Sequence, residues 1–307
     1  MKYSLEHIAQ FVDSASKVAD SNIEYLVLDS RKIYSPANSL FFALKGPRRD
    51  GHLFIAEVYK KGVRNFVVSE LPDVAAYPGA NFVLVQDTLK ALQQLAAHHR
   101  KQFNIPVIGI TGSNGKTIVK EWLYQLLHAD YNIVRSPKSY NSQIGVPLSV
   151  WQMNESHELA IFEAGISRPG EMEKLEKIIQ PTIAVLTNIG EAHSEGFSSI
   201  EQKEAEKRIL FKNARQAQAL EIIEIKKDKN KSVIYAKSLV NPASTISIEI
   251  PFTDDASVQN AITSWQVLLM LGYENMVIRE RMKLLLPVNM RLELKKGINH
   301  CNIINDS

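Results

Sequence analysis

An apolar run, Val107-Ile-Gly-Ile110, leads straight into Thr111-Gly-Ser-Asn-Gly-Lys-Thr117, and a helical stretch runs from about Lys116 to Ala129. This junction constrains the fold more than any other part of the chain. A continuously apolar run reads as a strand buried on both faces, the kind found in a parallel sheet covered by helices. The glycines let the backbone turn tightly and point N–H groups at phosphate oxygens, and the helix N-terminus adds partial positive charge. Gly112, Ser113, Asn114, Gly115, Lys116 and Thr117 are therefore the candidate phosphate cradle of an ATP site. Lys116 would reach the β- and γ-phosphates and the Thr117 hydroxyl would hold Mg2+. The loop departs from the full G-x-x-x-x-G-K-[ST] pattern: Ile110 stands five before Gly115, and Gly112 supplies the earlier glycine. A chance Gly-rich turn with a surface lysine is the bland alternative, and it explains neither the strand before the loop nor the helix after it. Kinases, ATPases and ATP-driven ligases could all use such a site.

At 307 residues the chain has room for about two domains at ~100–200 residues each. A hydrophobic content of 45% with a net charge of +3 excludes intrinsic disorder. Basic and acidic residues, 36 against 33, are too balanced for nucleic acid as a partner. No apolar run approaches the ~20 residues of a membrane helix, and Glu6 and His7 stand where a secretory signal would be apolar. Cys301 is the single cysteine, which excludes an internal disulfide or a Cys-rich zinc site. A cytoplasmic protein is the expectation.

Residues 1–103 alternate short β-branched or aromatic runs (26–28, 40–44, 66–68, 82–85) with helical stretches at 54–61 and 88–102, an α/β pattern. His98 and His99, without ligand partners at a metal spacing, read as solvated helix residues. The second block, 104–286, adds strands at 133–134, 159–162 and 183–186 and a helix over 199–212 that a capping box of Ser198 and Glu201 would start. A strand at 222–225, a lysine-rich solvated turn at 226–231 and a helix over 256–271 ending at Gly272 follow. The end reads as a turn and a strand, Cys301 to Ile304, so 287–307 are expected to begin a further domain that is cut short. Ligands in open α/β sheets bind beyond the carboxyl ends of strands, which brings Glu163, Asn188 and His193 into view. By position alone Glu163 is as well read as an exposed loop residue, and His193 as structural. Lys203 and Lys207, one turn apart on a charged helix, read on spacing alone as solvated.

In order along the chain stand Asp29-Ser-Arg31, Phe42-Ala-Leu-Lys-Gly46 with Arg49-Asp-Gly-His52, the loop Thr111 to Thr117, and Tyr140-Asn-Ser-Gln-Ile-Gly-Val-Pro-Leu148. Then come Phe162-Glu-Ala-Gly165 with Arg168-Pro-Gly-Glu171, Thr187-Asn-Ile189, Ala192-His-Ser-Glu-Gly-Phe197, Glu206-Lys-Arg-Ile-Leu-Phe211, Asn260-Ala261 and Met290-Arg-Leu-Glu293. Together they resemble the Mur ligase family, the ATP-dependent amide-forming enzymes of peptidoglycan synthesis and cell-wall biogenesis. The resemblance implies a small N-terminal α/β UDP-sugar domain followed by a P-loop-type, mostly parallel-sheet ATPase domain. The wording around Asn141 and Glu163 is most similar to the branch that joins D-Ala-D-Ala to UDP-N-acetylmuramoyl-tripeptide through an acyl phosphate. In some bacteria that branch is the N-terminal part of a fusion to alanine racemase, and this sequence is similar to the fused form.

The resemblance also implies roles. Lys116, Lys207 and His193 would be catalytic; Asn188, Asn260 and Arg291 would join the loop in holding the nucleotide. Thr117, Glu163, His193 and Lys207, the last as a carbamate, would hold two Mg2+ ions. Asp29, Ser30, Arg31, Lys45, Arg49, His52 and Asn141 would hold the UDP substrate. Three departures stand out: Asp254-Asp-Ala-Ser257 stands where the family has a His-Asn pair before the helix asparagine, Phe211 reaches the strand at Ile222 almost directly where the family has another strand–helix passage, and the family's C-terminal domain is expected to be cut short after Met290-Arg-Leu-Glu293. The fragment is therefore expected to bind and not to ligate. The alternatives are another Mur ligase, a folylpolyglutamate synthase-like enzyme, or a non-catalytic nucleotide- or UDP-sugar-binding module.

Overall fold

The structure, a computed structural model, describes residues 2–46, 49–190, 196–216, 219–238 and 243–288, and the backbone alone of 293–296 and 302–305. The chain forms two compact units: Met1–Thr111 with Asn132–Ala184 and His193–Arg215, and Gly112–Tyr131 with Val185–Ala192 and Gln216–Ser307.

In the first unit, parallel strands Tyr25–Val27, Ser39–Phe42, Asn65–Val68 and Asn81–Leu84 form a sheet in that order. Side chains alternate across a strand. Phe42, Val67 and Val83 thus meet Ile8, Leu92 and Leu95 on one face, while Phe41, Phe66 and Val68 meet Val58 on the other. Each such side chain contributes roughly 1.5–3 kcal/mol by leaving water. Helix Leu5–Phe11 starts on Ser4, whose Oγ accepts from the His7 N–H. Helix Thr88–Arg100 starts on Asp87, which accepts from Leu89 and Lys90. The helix expected at 54–61 enters as a 3-10 turn, Gly51–Phe54, before Ile55–Lys60.

The same unit carries most of a second sheet, ordered Arg215–Gln216, Ile183–Leu186, Val107–Thr111, Leu159–Glu163, Ile133–Arg135. Val107–Thr111 is buried at every position. Gly109 has a packing reason: a Cβ there would lie 3.0 Å from the Pro181 Cβ. Helices Gly145–Val150 and Glu171–Ile179 cover this sheet, burying Val146, Val150, Met172, Leu175 and Ile178. Arg100, itself buried, donates to the carbonyls of Ile179 (2.9 Å), Gln180 (3.1 Å) and Phe103 (2.7 Å), placing a cation on the last carbonyls of helix Glu171–Ile179. His99 corrects the solvated reading. It is 2% exposed, and its Nε2–H donates to the Met153 carbonyl (3.0 Å), which leaves Nδ1 to accept from the Tyr3 hydroxyl (2.8 Å). The neutral ring follows from burial, which lowers its pKa to about 4.

In the second unit, helix Lys116–Leu127 packs with helix Asp255–Met270. Trp122 stacks on Phe252 and donates from Nε1 to the Leu286 carbonyl (3.1 Å). An antiparallel sheet orders Ile222–Lys227, Ser232–Lys237 and Thr245–Ile250, with the expected lysine-rich turn at its first hairpin. Helix Asn275–Met282 packs on the third strand, and Arg281 pairs with Asp130. Asp254, the departure from the family wording, caps helix Asp255–Met270 by accepting from the Ser257 N–H (2.8 Å). Gly272 ends that helix at φ +86°. A hairpin pairs Glu293–Lys296 with Asn302–Asn305, one residue beyond the strand expected at the end; Cys301 lies outside the described residues. Among the described residues no helix is long and apolar enough to cross a membrane.

The capping box moves by one residue. Ser199, not Ser198, is the N-cap of helix Ile200–Arg208: its Oγ accepts from Gln202 N–H (3.2 Å), and the Gln202 side chain accepts from Ser198. That helix is shorter than expected and tightens into a 3-10 turn over Ile209–Phe211.

Candidate functional site

The phosphate loop demands glycine twice over. Gly112 and Gly115 take φ of +146° and +83°, conformations that favour residues without a Cβ. A Cβ on Gly112 would lie 2.0 Å from Thr187 Oγ1, and one on Gly115 would lie 2.3 Å from Asn260 Oδ1. Gly115 is also the N-cap of helix Lys116–Leu127 and supplies no side-chain cap. Residues 187–190 clamp the loop. Ser113 and Asn114 donate their backbone N–H groups to the Asn188 carbonyl (2.9 Å) and to its Oδ1 (2.8 Å). Thr187 Oγ1 donates to the Asn114 carbonyl (2.5 Å), and Ser113 Oγ donates to the Gly190 carbonyl (3.1 Å) while accepting its N–H (3.0 Å). Lys116 curls over the loop, donating from Nζ to the carbonyls of Gly112 (2.9 Å) and Ser113 (3.2 Å). The ammonium is thus held over the same backbone that would face a phosphate. Thr187 and Gly190 buttress the loop through contacts made only once the chain folds back on it, so their spacing in sequence does not mark them.

In the first unit, Glu163 closes strand Leu159–Glu163 in register with Ile110, two residues before Gly112 in the chain. It is fully buried, which corrects the reading of an exposed loop residue, and its N–H donates to Ser136 Oγ (3.1 Å). Lys203 and Lys207, one turn apart on Ile200–Arg208, are 1% and 2% exposed, which corrects the solvated reading of both. Buried charge is expensive unless paired or bound to metal. A buried carboxylate such as that of Glu163 is a hard-oxygen donor of the kind Mg2+ takes. His193 and Arg291 lie outside the described residues. Asn141 backs the loop that follows Glu163: its carbonyl accepts from Gly165 (2.7 Å), and a Gly165 Cβ would lie 2.9 Å from its side chain.

A cleft of about 780 Å³ opens at the carboxyl ends of the first sheet's strands. Asp29, Ser30, Arg31 and Arg49 line it, with Leu53 and Phe54 supplying apolar surface. Asp29 holds Arg31 bidentately, Oδ1 to Nε (2.9 Å) and Oδ2 to Nη2 (2.8 Å), and this contact keeps its carboxyl well below the usual range. Lys45 and His52 do not line the cleft. Lys45 is tied to Glu70 (2.6 Å). His52 donates from Nδ1 to Asp50 (2.6 Å) and accepts from the Ser69 N–H at Nε2 (3.0 Å), so both ring nitrogens are engaged in shaping the wall.

Two family descriptions match: the Mur ligase middle domain over residues 110–279, and the Mur ligase family catalytic domain over residues 22–100. The UDP-N-acetylmuramoyl-tripeptide--D-alanyl-D-alanine ligase of Bacillus subtilis is 36% identical over 210 residues, covering 66% of this chain and 44% of its own. The enzyme of that name from Haemophilus influenzae is 31% identical over 305 residues, covering 89% and 65%. The chain thus spans less than half of the first relative's length and about two thirds of the second's. Its fold matches a crystal structure of MurF from Acinetobacter baumannii with a TM-score of 0.86 at 24% identity, covering 100% of this chain and 73% of that one. It also matches the Thermotoga maritima MurF ligase in complex with ADP, with a TM-score of 0.76 at 24% identity, covering 92% and 71%. The middle-domain match alone takes in more than half of the chain, including the clamped loop, Glu163 and Asn260, and by it the protein belongs to the Mur ligase family.

Proposed function

We propose that the protein works in peptidoglycan precursor synthesis in the cytoplasm, as an ATP-dependent ligase that joins D-Ala-D-Ala to UDP-N-acetylmuramoyl-tripeptide. The observation that carries this reading is the loop: two glycines without room for a Cβ, clamped by residues 187–190, with Lys116 folded over the backbone. The named relatives supply the substrate class. Residues 1–103 would hold the UDP-sugar in the cleft of Asp29, Ser30, Arg31 and Arg49, and residues 104–286 would hold ATP.

In the proposed reaction a carboxylate oxygen of the tripeptide attacks the γ-phosphorus of ATP, and the bond to ADP breaks. The amine of D-Ala-D-Ala then attacks the acyl phosphate carbonyl, and the tetrahedral intermediate loses inorganic phosphate as the amide forms and the amine gives up its proton. Lys116 neutralises charge on the transferring phosphoryl group, and the start of helix Lys116–Leu127 adds its partial positive charge there. Asn260, which the resemblance puts near the adenine, packs against Gly115. Thr117 and Glu163, with His193 and a carbamoylated Lys207, would hold the Mg2+ ions, whose contribution is charge neutralisation and orientation of phosphate and carboxylate oxygens.

Isothermal titration with UDP-muramoyl ligands tests the reading. UDP-N-acetylmuramoyl-tripeptide should bind more tightly than the UDP-dipeptide or a folate. Preference for the dipeptide would move the chain to a neighbouring ligase, and preference for a folate to a folylpolyglutamate synthase-like enzyme. Absence of any UDP-sugar binding, with ATP binding intact, would leave a nucleotide-binding module.

A further inference from the structure

Strand Ile222–Lys227 is the outer strand of the antiparallel sheet, and among the described residues no strand pairs with its outer edge. Its side chains are solvent-facing: Ile223 is 52% exposed, Ile225 37%, and Glu224, Lys226 and Lys227 are exposed. A free strand edge presents a row of N–H and C=O groups that templates a further strand.

The register says which groups those are. Asp228 donates to the Lys231 carbonyl at the hairpin (2.9 Å), and Lys226 and Glu224 stand opposite Val233 and Tyr235. In an antiparallel ladder hydrogen-bonded pairs alternate. From Glu224 to Asp228, residues 224, 226 and 228 therefore turn their backbone groups inward and Ile225 and Lys227 turn theirs outward; a bulge between Ile222 and Glu224 ends the regular alternation there and keeps the usable edge short. The faces differ as well. Ile225 lies on the face of Ile234 and Ile248, which are buried, while Glu224 and Lys226 lie on the open face, in an ion pair of 3.2 Å.

We propose that this edge pairs with the same edge of a second copy of the chain, antiparallel and two-fold symmetric about Ile225. In that register the outward N–H and C=O of Ile225 meet those of Ile225 in the second copy, which forms a hydrogen-bonded pair. Glu224 then stands opposite Lys226 of the second copy, and Lys226 opposite its Glu224, in the non-hydrogen-bonded positions where side chains come closest. The two apolar faces join through Ile225. Charge selects this register over its neighbours. Sliding by two residues sets Glu224 against Glu224 or Lys226 against Lys226, and sliding by one puts outward backbone groups opposite inward ones. So short an interface belongs to the small, weak class of contacts, and the equilibrium should depend on concentration.

Sedimentation equilibrium on the whole chain tests this independently of any enzymatic role. The wild type should show a monomer–dimer equilibrium. Glu224→Lys turns both cross-strand pairs repulsive and should raise the dimer dissociation constant about tenfold. The swapped pair Glu224→Lys/Lys226→Glu should restore it, and Ile225→Pro, which removes an outward N–H and no bond to the neighbouring strand, should abolish it. Unfolding midpoints confirm that each variant folds. A monomer at every concentration would overturn the proposal, as would a dimer indifferent to Glu224→Lys or one that the swapped pair fails to restore.

Discussion

Gly115→Ala strains the phosphate loop in two separable ways. An L-residue at φ +83° costs about 1–2 kcal/mol of backbone strain. The new Cβ also starts 2.3 Å from Asn260 Oδ1, inside any contact distance, so the buried Asn260 side chain must leave its rotamer, at about 0.5–1.5 kcal/mol more. Gly272 gives the control within the same unit, because it sits at φ +86° with nothing within 4 Å of a Cβ. Gly272→Ala should therefore show the backbone cost alone. Gly115→Ala should total about 2–3 kcal/mol, or roughly 5–10 °C in unfolding midpoint for a unit of this size. Adding Asn260→Ala should recover about 1 kcal/mol as a coupling in a double-mutant cycle. Calorimetry measures the midpoints, and titration with ATP should show weakened binding for Gly115→Ala and not for Gly272→Ala. The reasoning is refuted if both glycine variants lose the same stability, or if the Gly115 and Asn260 changes simply add.

Gly112→Ala, whose Cβ would fall 2.0 Å from Thr187 Oγ1, should lose ATP binding in titration while the far-UV spectrum stays native. The unfolded chain protonates His99 near its ordinary pKa of 6.5, before the folded chain does at about 4. Stability should thus be intact above about pH 6.5 and fall towards pH 4, by about 1.4 kcal/mol per pH unit where the slope is steepest. In urea titrations across that range His99→Gln should flatten the slope, leaving the smaller part from His98 and His157, which are lowered in the same direction. Arg100→Ala strips three carbonyls of their donor and should cost about 3 kcal/mol in urea unfolding; a loss below 1 kcal/mol would make the arginine a bystander. Native mass spectrometry should find a carbamate on Lys207 in bicarbonate buffer and none in Lys207→Arg. An unmodified lysine at every pH and CO₂ level tested would contradict that role.

What the sequence made legible was local. A strand of small and β-branched residues, a glycine turn and a helix start need no knowledge of the rest of the chain, and Gly112 and Gly115 took the conformations such a turn requires. Charge burial was not legible. The segment from Ile200 to Arg208 is charged on every side, so nothing in its pattern marks Lys203 and Lys207 as buried; their burial is imposed by what packs around the helix. His99 is different, because it continues the stripe of Leu92, Leu95 and Ala96 at helical spacing, and the periodicity itself held the answer. Ser198 and Ser199 precede Glu201 and Gln202, two overlapping capping patterns that only backbone geometry separates. Helix Glu171–Ile179 is legible as well, because Met172, Leu175, Ile178 and Ile179 recur at helical spacing among Glu and Lys; the strands over 232–237 and 245–250 are short runs that periodicity alone does not single out. The cleft residues Asp29 and Arg31 came from the resemblance, and Lys45 and His52, drawn from the same wording, serve its wall.

The central claim is that Gly112 to Thr117 bind the phosphates of ATP, and isothermal titration of Mg·ATP into wild type and Lys116→Ala tests it most directly. Wild type should bind one nucleotide, and the variant, without a charge-assisted contact, should bind about a hundredfold more weakly with its unfolding midpoint preserved. Equal affinity in the two proteins would contradict the assignment.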